Sequence, residues 1–154
     1  MGKRRTVPAP GEGKRGEDGH LGYLLRQANG AFRARMERAL ADLGITQPQF
    51  AVLTMVAAYP GLSGADLARL SVLTPQTVSV IVANLKRSGV LAGTPHPDHG
   101  RILRLTLTPA GQAILKDCKA RVRKLEEGLA AGLSAEEGRA IRRWLVAIAT
   151  ASVE

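Results

Sequence analysis

Residues 62–111, LSGADLARLSVLTPQTVSVIVANLKRSGVLAGTPHPDHGRILRLTLTPAG, contain the pattern that decides the fold. Ser63, followed by Asp66, is typical of a helix N-terminus, and Thr74-Pro75 is typical of the start of a second helix. The second segment has an apolar side at helical spacing, formed by Val78, Ile81, Val82 and Leu85. We therefore predict a helix-turn-helix with residues 74–88 as its second helix, the arrangement that presents a helix to the DNA major groove.

Two short strands joined by a polar loop follow the helix-turn-helix. Residues 90–94 and 102–107 are predicted to pair, because Leu103, Leu105 and Leu107 alternate with other residues along the second strand. The hairpin is the expected wing, with its tip at residues 94–102. The predicted fold class is therefore mainly α with a small β-hairpin, and residues 46–108 form a winged helix-turn-helix.

Helical segments are predicted on both sides of this region. Residues 21–45 and 109–154 carry apolar residues at steps of three and four, more of them than a monomer of this size covers. We therefore expect a homodimer in which these N- and C-terminal helices form the interface. Residues 1–20 are rich in Gly, Pro and charge and are predicted to be a disordered arm. Its cluster Lys3, Arg4 and Arg5 either contacts DNA phosphates or belongs to a solubilising tail.

Composition limits the classes of function. The chain of 154 residues has a formal charge of +9, which favours a polyanionic partner but is also found on ordinary solvated surfaces. The single cysteine, Cys118, excludes an internal disulfide. No apolar run is long enough to span a membrane, and the N-terminus lacks the apolar core of a signal peptide, so we expect a cytoplasmic protein with no membrane partner. The three histidines lie in the arm and the wing, and no catalytic set is recognisable, so neither an enzyme nor a cofactor is predicted.

The N-terminal half of a recognition helix lies closest to the bases. Gln76, Ser79 and Val80 are therefore the predicted base contacts; a glutamine pairs with adenine through two hydrogen bonds, and a valine fits a thymine methyl. The alternative for Ser79 and Val80 is ordinary helix surface. The predicted phosphate contacts are Thr74, Pro75, Thr77, Lys86 and Arg87. For Lys86 and Arg87, plain solvated charge is the alternative.

The wing loop carries its own candidates. Arg101 is predicted to enter the minor groove, where narrow A·T-rich tracts attract cations, with His99 and Asp98 beside it. A local ion pair between Arg101 and Asp98 is the alternative, and the two roles are compatible. His96 and His99, together with Asp98, also form a possible set of metal ligands, but polar side chains on an exposed loop are the simpler interpretation, and no metal site is predicted.

With these residues in place, the chain resembles the MarR family of bacterial transcriptional regulators over roughly residues 20–150. The resemblance rests on the order of the elements, on LTPQTVSVIVANLKRSGVL, on the wing ending HGR followed by LTLTPAG, and on a final pair of helices. It implies an obligate homodimer that reads a pseudo-palindromic operator, most simply as a repressor. It also implies release from DNA by a small phenolic or otherwise anionic effector, which would bind between the dimer helices and the winged helix-turn-helix. Candidate walls for that effector are Phe32, Phe50 and Leu53, which are otherwise core residues.

Two positions depart from the family pattern, and both lie within the predicted reading region. His99 stands where family members often have an aspartate that braces the wing arginine, and a histidine there makes pH-sensitive binding a possibility. Val80 stands where members often have an arginine. A peroxide-sensing branch of the family uses a cysteine near the start of the first long helix, whereas Cys118 lies among apolar positions and is predicted to be core rather than a redox sensor.

A winged helix that binds protein rather than DNA is the competing hypothesis. Such a module would have an apolar or acidic second helix. Here the residues predicted to face outward are polar or basic, namely Gln76, Thr77, Ser79, Asn84, Lys86 and Arg87. This pattern favours DNA binding.

Overall fold

The computed structural model describes residues 7–151 and contains six α-helices and one antiparallel hairpin within that range. The elements run in the order α1 (Leu21–Leu40), α2 (Gln47–Ala58), α3 (Gly64–Ser71), α4 (Pro75–Arg87), β1 (Leu91–Pro95), β2 (Leu103–Leu107), α5 (Pro109–Ala130) and α6 (Ala135–Thr150). The predicted class, mainly α with a β-hairpin wing, is confirmed. No helix within residues 7–151 is both long enough and apolar enough to cross a membrane.

Side-chain caps fix where most of the helices begin. At the start of α2 to α6 the capping hydroxyl accepts a hydrogen bond from the backbone N–H three residues later, which satisfies an amide that has no partner inside the helix. The five capping residues are Thr46, Ser63, Thr74, Thr108 and Ser134. These are the helix starts that the sequence predicts, so this prediction is confirmed.

The core lies between α2 and the elements packed around it. From α2 it receives Val52, Leu53 and Val56, which are fully or almost fully buried. The remaining helices and the hairpin contribute further buried apolar residues, among them Met36, Leu40, Leu67, Val78, Ile81, Leu85, Leu91, Leu105, Leu115 and Cys118. Because burial of one Leu- or Val-sized side chain is worth about 1.5–3 kcal/mol, this cluster is the main stabilising feature of the single chain.

The two strands of the hairpin pair with each other, and a segment outside the hairpin pairs with β2. Leu91 pairs with Leu107 and Pro95 with Leu103 at its two ends. Leu62, which precedes α3, forms a β-bridge with Leu105. Both strands begin one residue later than predicted, because the Val90 N–H bonds to the end of α4 and the Ile102 N–H bonds to the His99 carbonyl. β1 also ends one residue later, at Pro95. The wing therefore packs against α4 through β1 and against α2 through β2, and the Leu62 bridge joins β2 to the segment before α3.

Part of the predicted arm has a local fold. Gly13–Arg15 forms a turn of 3₁₀ helix, and the Arg15 guanidinium donates to the Pro8 carbonyl at 2.7 Å and to Gln27 Oε1 of α1 at 3.1 Å. The arm from this turn onward thus differs from the disordered segment that its composition predicts, because a tertiary hydrogen bond to α1 orders it. Lys3, Arg4 and Arg5 lie outside the described residues.

Candidate nucleic-acid interface

The recognition helix α4 has one buried and one exposed side. Val78, Ile81 and Leu85 are buried in the core. Their burial turns Gln76, Ser79 and Val80 outward, and all three are exposed, Val80 by 61%. The three predicted base contacts therefore share the accessible surface of the N-terminal half of α4, the half that a major groove would receive.

A tight turn sets α4 against α3. Val72 has φ of 55° and is the only non-glycine residue with positive φ among residues 7–151. The turn closes with the Leu73 N–H donating to the Ala68 carbonyl at 3.1 Å, the i+5 bond of a Schellman-type helix end. At the other end of α4, Gly89 adopts φ of 75° and stops the helix before the wing.

The first turn of α4 is already hydrogen-bonded within the chain. Thr74 Oγ1 accepts from the Thr77 N–H at 3.1 Å and lies 2.9 Å from Thr77 Oγ1. Pro75 has no N–H to offer, but it is exposed beside them. The two threonine hydroxyls thus form one exposed polar pair at the electropositive end of the helix.

Lys86 and Arg87, at the C-terminal end of α4, lie in different surroundings. The Lys86 ammonium lies over Gly93 of β1, 3.4 Å from where a Cβ of that residue would be. Arg87 Nη1 donates to Asn84 Oδ1 at 3.0 Å along the exposed side of the helix. Both cations remain accessible, and neither is in an ion pair within the described part of the chain.

The wing loop is built around His96. Its N–H donates to the Ile102 carbonyl at 2.8 Å, which continues the hairpin ladder, and the Ile102 N–H donates to the His99 carbonyl at 2.8 Å. The His96 ring lies against that of His99, with ring centroids 5.5 Å apart. These contacts hold residues 98–101 at the exposed tip of the wing.

Arg101 lies at this tip and does not form the ion pair with Asp98 that the sequence analysis considered. In the described part of the chain no ion pair joins Arg101 to Asp98, and both residues are exposed. Residues 7–151 contain no group of three or more side chains placed to hold a metal ion. His99, Asp98 and Arg101 thus share one accessible loop.

An open cleft of about 400 Å³ separates α4 from the wing. Ser79 lines it from α4 and Arg101 from the wing, above an apolar floor that includes Val82, Ile102 and Leu103. The structure therefore brings a recognition-helix candidate and the wing arginine to the same cleft, although they are 22 positions apart in the sequence.

The candidate effector walls are core residues in this single chain. Leu53 is fully buried, and Phe32 and Phe50 are half-buried against the same cluster. The prediction that Cys118 is core is confirmed: it is fully buried. Burial, with a smaller contribution from the neighbouring Asp117 carboxylate, raises the pKa of its thiol, which suppresses the reactive thiolate.

One contact of the wing was absent from the sequence prediction. Arg104 Nη2 of β2 lies 3.3 Å from His96 Nε2, and the Asp98 N–H donates to His96 Nδ1 at 3.1 Å. The hairpin pairing places Arg104 opposite Thr94 and so beneath the loop. The alternation along β2 places Arg104 on the side opposite Leu103, Leu105 and Leu107, but its partner depends on the loop conformation.

The helix-turn-helix, the hairpin and the exposed polar surface between them define a winged-helix DNA-binding regulator. Comparison with known proteins gives the narrower assignment. A model of the MarR family matches residues 43–102. The HTH-type transcriptional repressor Rv2887 of Mycobacterium tuberculosis is 37% identical over 129 residues, covering 84% of this chain and 93% of the repressor. The chain belongs to the MarR family.

Solved structures of relatives agree in fold. Rv2887 in complex with DNA has a TM-score of 0.68 at 36% identity, covering 85% of this chain and 98% of that one. Rv2887 with salicylic acid has a TM-score of 0.67 at 36% identity, covering 86% and 98%. BpsR of Bordetella bronchiseptica, whose DNA binding is regulated by 6-hydroxynicotinic acid, has a TM-score of 0.80 at 26% identity, covering 86% and 95%.

Proposed function

We propose that this chain is a homodimeric repressor that places α4 in the major groove of each half of a pseudo-palindromic operator and the wing in the adjacent minor groove. The observation that carries the proposal is the division of α4 into a buried side and an exposed polar side that lies beside the arginine-bearing wing. The proposed role is regulatory, with no catalytic step, and cytoplasmic, where bacterial DNA is found.

Sequence readout is assigned to Gln76, Ser79 and Val80. Gln76 offers a donor and an acceptor to an adenine edge, and the 61%-exposed Val80 offers an apolar contact for a thymine methyl. Because Val80 carries no charge, we expect preference at its base pair to come from the methyl group rather than from a guanine contact. Ser79, at the rim of the cleft toward the wing, accommodates either base.

Phosphate contacts are assigned to both ends of α4. Thr74, Pro75 and Thr77 lie at the electropositive N-terminus of α4. A phosphate there accepts hydrogen bonds and is stabilised by the helix dipole. Lys86 and Arg87 supply positive charge at the other end. Arg101, which has no carboxylate partner within the described residues, is assigned to the minor groove, with His99 and Asp98 at its edge.

The assembly is assigned from the surface of α6. None of its residues is buried, and Ile141, Trp144, Leu145 and Ile148 lie on one side at helical spacing, each 41–42% exposed. Leu21, Tyr23 and Leu25 leave α1 with similarly exposed apolar surface. A second copy of the chain covers both helices, and its two-fold symmetry matches an operator with two half-sites.

The effector is assigned to the class of small aromatic acids. Salicylic acid, bound to Rv2887, and 6-hydroxynicotinic acid, which regulates BpsR, are both hydroxylated aromatic acids. The half-buried Phe32 and Phe50 are assigned as apolar walls for such a ring between the dimer helices and the winged helix, together with Leu53, which is fully buried in the single chain. Salicylate at about 100 times its Kd should stabilise the folded protein by about 2.7 kcal/mol in thermal unfolding and reduce operator affinity. A Phe32→Leu variant with an unchanged response would contradict this pocket.

Selection of bound sequences from random duplex DNA tests the main proposal. We expect enrichment of an inverted repeat with half-site centres about 10 bp apart, bound with an affinity that falls steeply with salt. Gln76→Ala should relax preference at one position per half-site by about 1–3 kcal/mol and leave the salt dependence unchanged. Absence of binding to any duplex at low salt would refute the proposal and leave the protein-interaction alternative.

A further inference from the structure

We propose that His96 and Arg104 together form a second phosphate-binding site on the wing, distinct from the contacts assigned to α4 and Arg101. The inference rests on the proposed DNA-binding function. The ligand is a single phosphate of the DNA backbone, which accepts hydrogen bonds from both the His96 Nε2 atom and the Arg104 guanidinium.

The contacts of His96 determine which of its ring nitrogens carries the proton. The backbone N–H of Asp98 donates to His96 Nδ1 at 3.1 Å, and a backbone N–H is only a donor. Nδ1 must therefore be the unprotonated acceptor of the ring. A neutral imidazole carries one proton, so that proton is on Nε2, which becomes a donor.

The protonated Nε2 atom of His96 lies next to the guanidinium of Arg104. Arg104 Nη2 lies 3.3 Å from it, and a guanidinium has five N–H donors and no acceptor. Two donors therefore meet, and neither satisfies the other. No ion pair within residues 7–151 involves Arg104, which is exposed on β2. An acceptor that approaches from one side and reaches both groups would satisfy them.

A phosphate oxygen of the DNA backbone has the properties of the missing acceptor. A phosphate oxygen has several lone pairs and a negative charge, and it accepts hydrogen bonds from two donors about 3.3 Å apart without distortion. On the same loop the Asp98 backbone N–H is bonded to the His96 ring, and the His99 ring lies 5.5 Å from that of His96. Because this pair lies at the foot of the loop that bears Arg101, a phosphate flanking the minor groove is the one within reach.

The test uses Arg104→Gln and His96→Asn in the full-length protein. Asparagine keeps the brace, because its side-chain oxygen accepts the N–H two residues later in an Asx turn, but it cannot place a donor at the Nε2 position. Lys119→Gln, which removes an exposed charge from α5, is the matched control. Operator affinity is measured against salt at one mildly alkaline pH, the same for every variant.

We expect Arg104→Gln to weaken binding at least about tenfold. The log–log salt slope should become shallower by about 1.8, since each phosphate contact contributes about 0.9 and the dimer has two. His96→Asn should weaken binding about threefold with an unchanged slope, because it removes a neutral donor. The double variant should be less than about twofold weaker than Arg104→Gln alone, since both groups hold one phosphate.

Wild-type affinity and slope for Arg104→Gln would overturn the inference, as would additive losses in the double variant or an equal slope change in Lys119→Gln. In each of these cases the wild-type protein still binds the operator, so the proposed function stands. A wild-type protein that binds no duplex would instead refute the proposed function itself.

Discussion

The reading region and the flanking helices differ in how completely a single chain buries their apolar surface. In α4 the apolar residues Val78, Ile81 and Leu85 are buried, and the outward residues are mostly polar. In α6 no residue is buried, and Trp144 and Leu145 are each 41% exposed. The reading region is thus completed by its own chain, whereas the flanking helices need another surface. This difference supports our proposal that dimer formation and DNA readout belong to separate parts of the molecule.

A charge placed on the apolar side of α6 should have the largest effect. Leu145→Glu puts a carboxylate in the proposed dimer interface, where an unpaired buried charge costs several kcal/mol. We expect a monomer at micromolar concentration in analytical ultracentrifugation and a loss of operator affinity of at least about 100-fold. Val146→Glu is the matched control: it is 61% exposed and off the stripe, and it should remain a dimer. A Leu145→Glu protein that stays dimeric would remove the interface assigned to α6.

Gly111 joins the two regions, and alanine there should destabilise the protein by about 2–4 kcal/mol. It is buried in the first turn of α5, and an added Cβ would overlap the Val90 carbonyl oxygen at the base of the wing. Urea unfolding measures the change. Gly128→Ala in the same helix meets no atom within 4 Å and should instead stabilise by up to about 1 kcal/mol. Equal effects of the two substitutions would show that the junction between wing and α5 is looser than described.

Arg101→Ala should affect DNA binding but not folding. Loss of a charge-assisted contact in both half-sites should weaken binding about tenfold and flatten its salt dependence, most strongly for operators with A·T-rich flanks. Fluorescence anisotropy with two flank sequences measures both effects, and the thermal midpoint serves as the control. The minor-groove role is wrong if affinity and flank preference remain as in the wild type.

Val72→Gly should stabilise the reading region slightly. The left-handed conformation at φ of 55° costs a valine about 1–2 kcal/mol, of which the greater freedom of an unfolded glycine offsets about 0.5–1 kcal/mol. A net gain of about 0.5 kcal/mol is expected in chemical denaturation. Val80→Gly, at a right-handed helical position, is expected to lose stability. Destabilisation by Val72→Gly would mean that the valine makes a contact worth more than its strain.

The smallest effect should come from the ion pair between α5 and the segment after α1. Arg121 donates to the two Asp42 oxygens at 2.7 and 2.8 Å, and these hydrogen bonds hold the pKa of the carboxyl below its usual range. Its stabilisation is therefore present above the unfolded pKa of about 3.9 and is lost as pH falls through the lower folded value. The difference in urea midpoint between wild type and Asp42→Asn should shrink over that acidic range. An Arg121→Ala background should abolish this pH dependence.

The sequence predicts the features that depend on neighbouring residues. Cap residues such as Thr74 and Ser134 mark helix starts through a hydrogen bond only three positions long, and the alternation in β2 determines its apolar side. The order of elements then follows from the pattern alone. This is why the position of the recognition helix, its exposed face and its wing were all predictable.

Contacts between distant residues were not predictable in this way. Asp42 and Arg121 meet 79 positions apart because α5 packs against α1. His96 meets Arg104 only once the hairpin register and the loop conformation are fixed. The order of the arm also depends on a hydrogen bond between Arg15 and Gln27 that no local pattern specifies.

Whether the protein acts as a symmetric dimer can be measured by comparing the affinity of the wild-type protein for a full inverted repeat with its affinity for a single half-site of the same sequence. If two chains each contribute one reading region to a symmetric dimer, the full site should bind at least about 100-fold more tightly, with two chains per duplex by sedimentation. Equal affinity for the half-site and the full site, with one chain bound to each, would contradict the account.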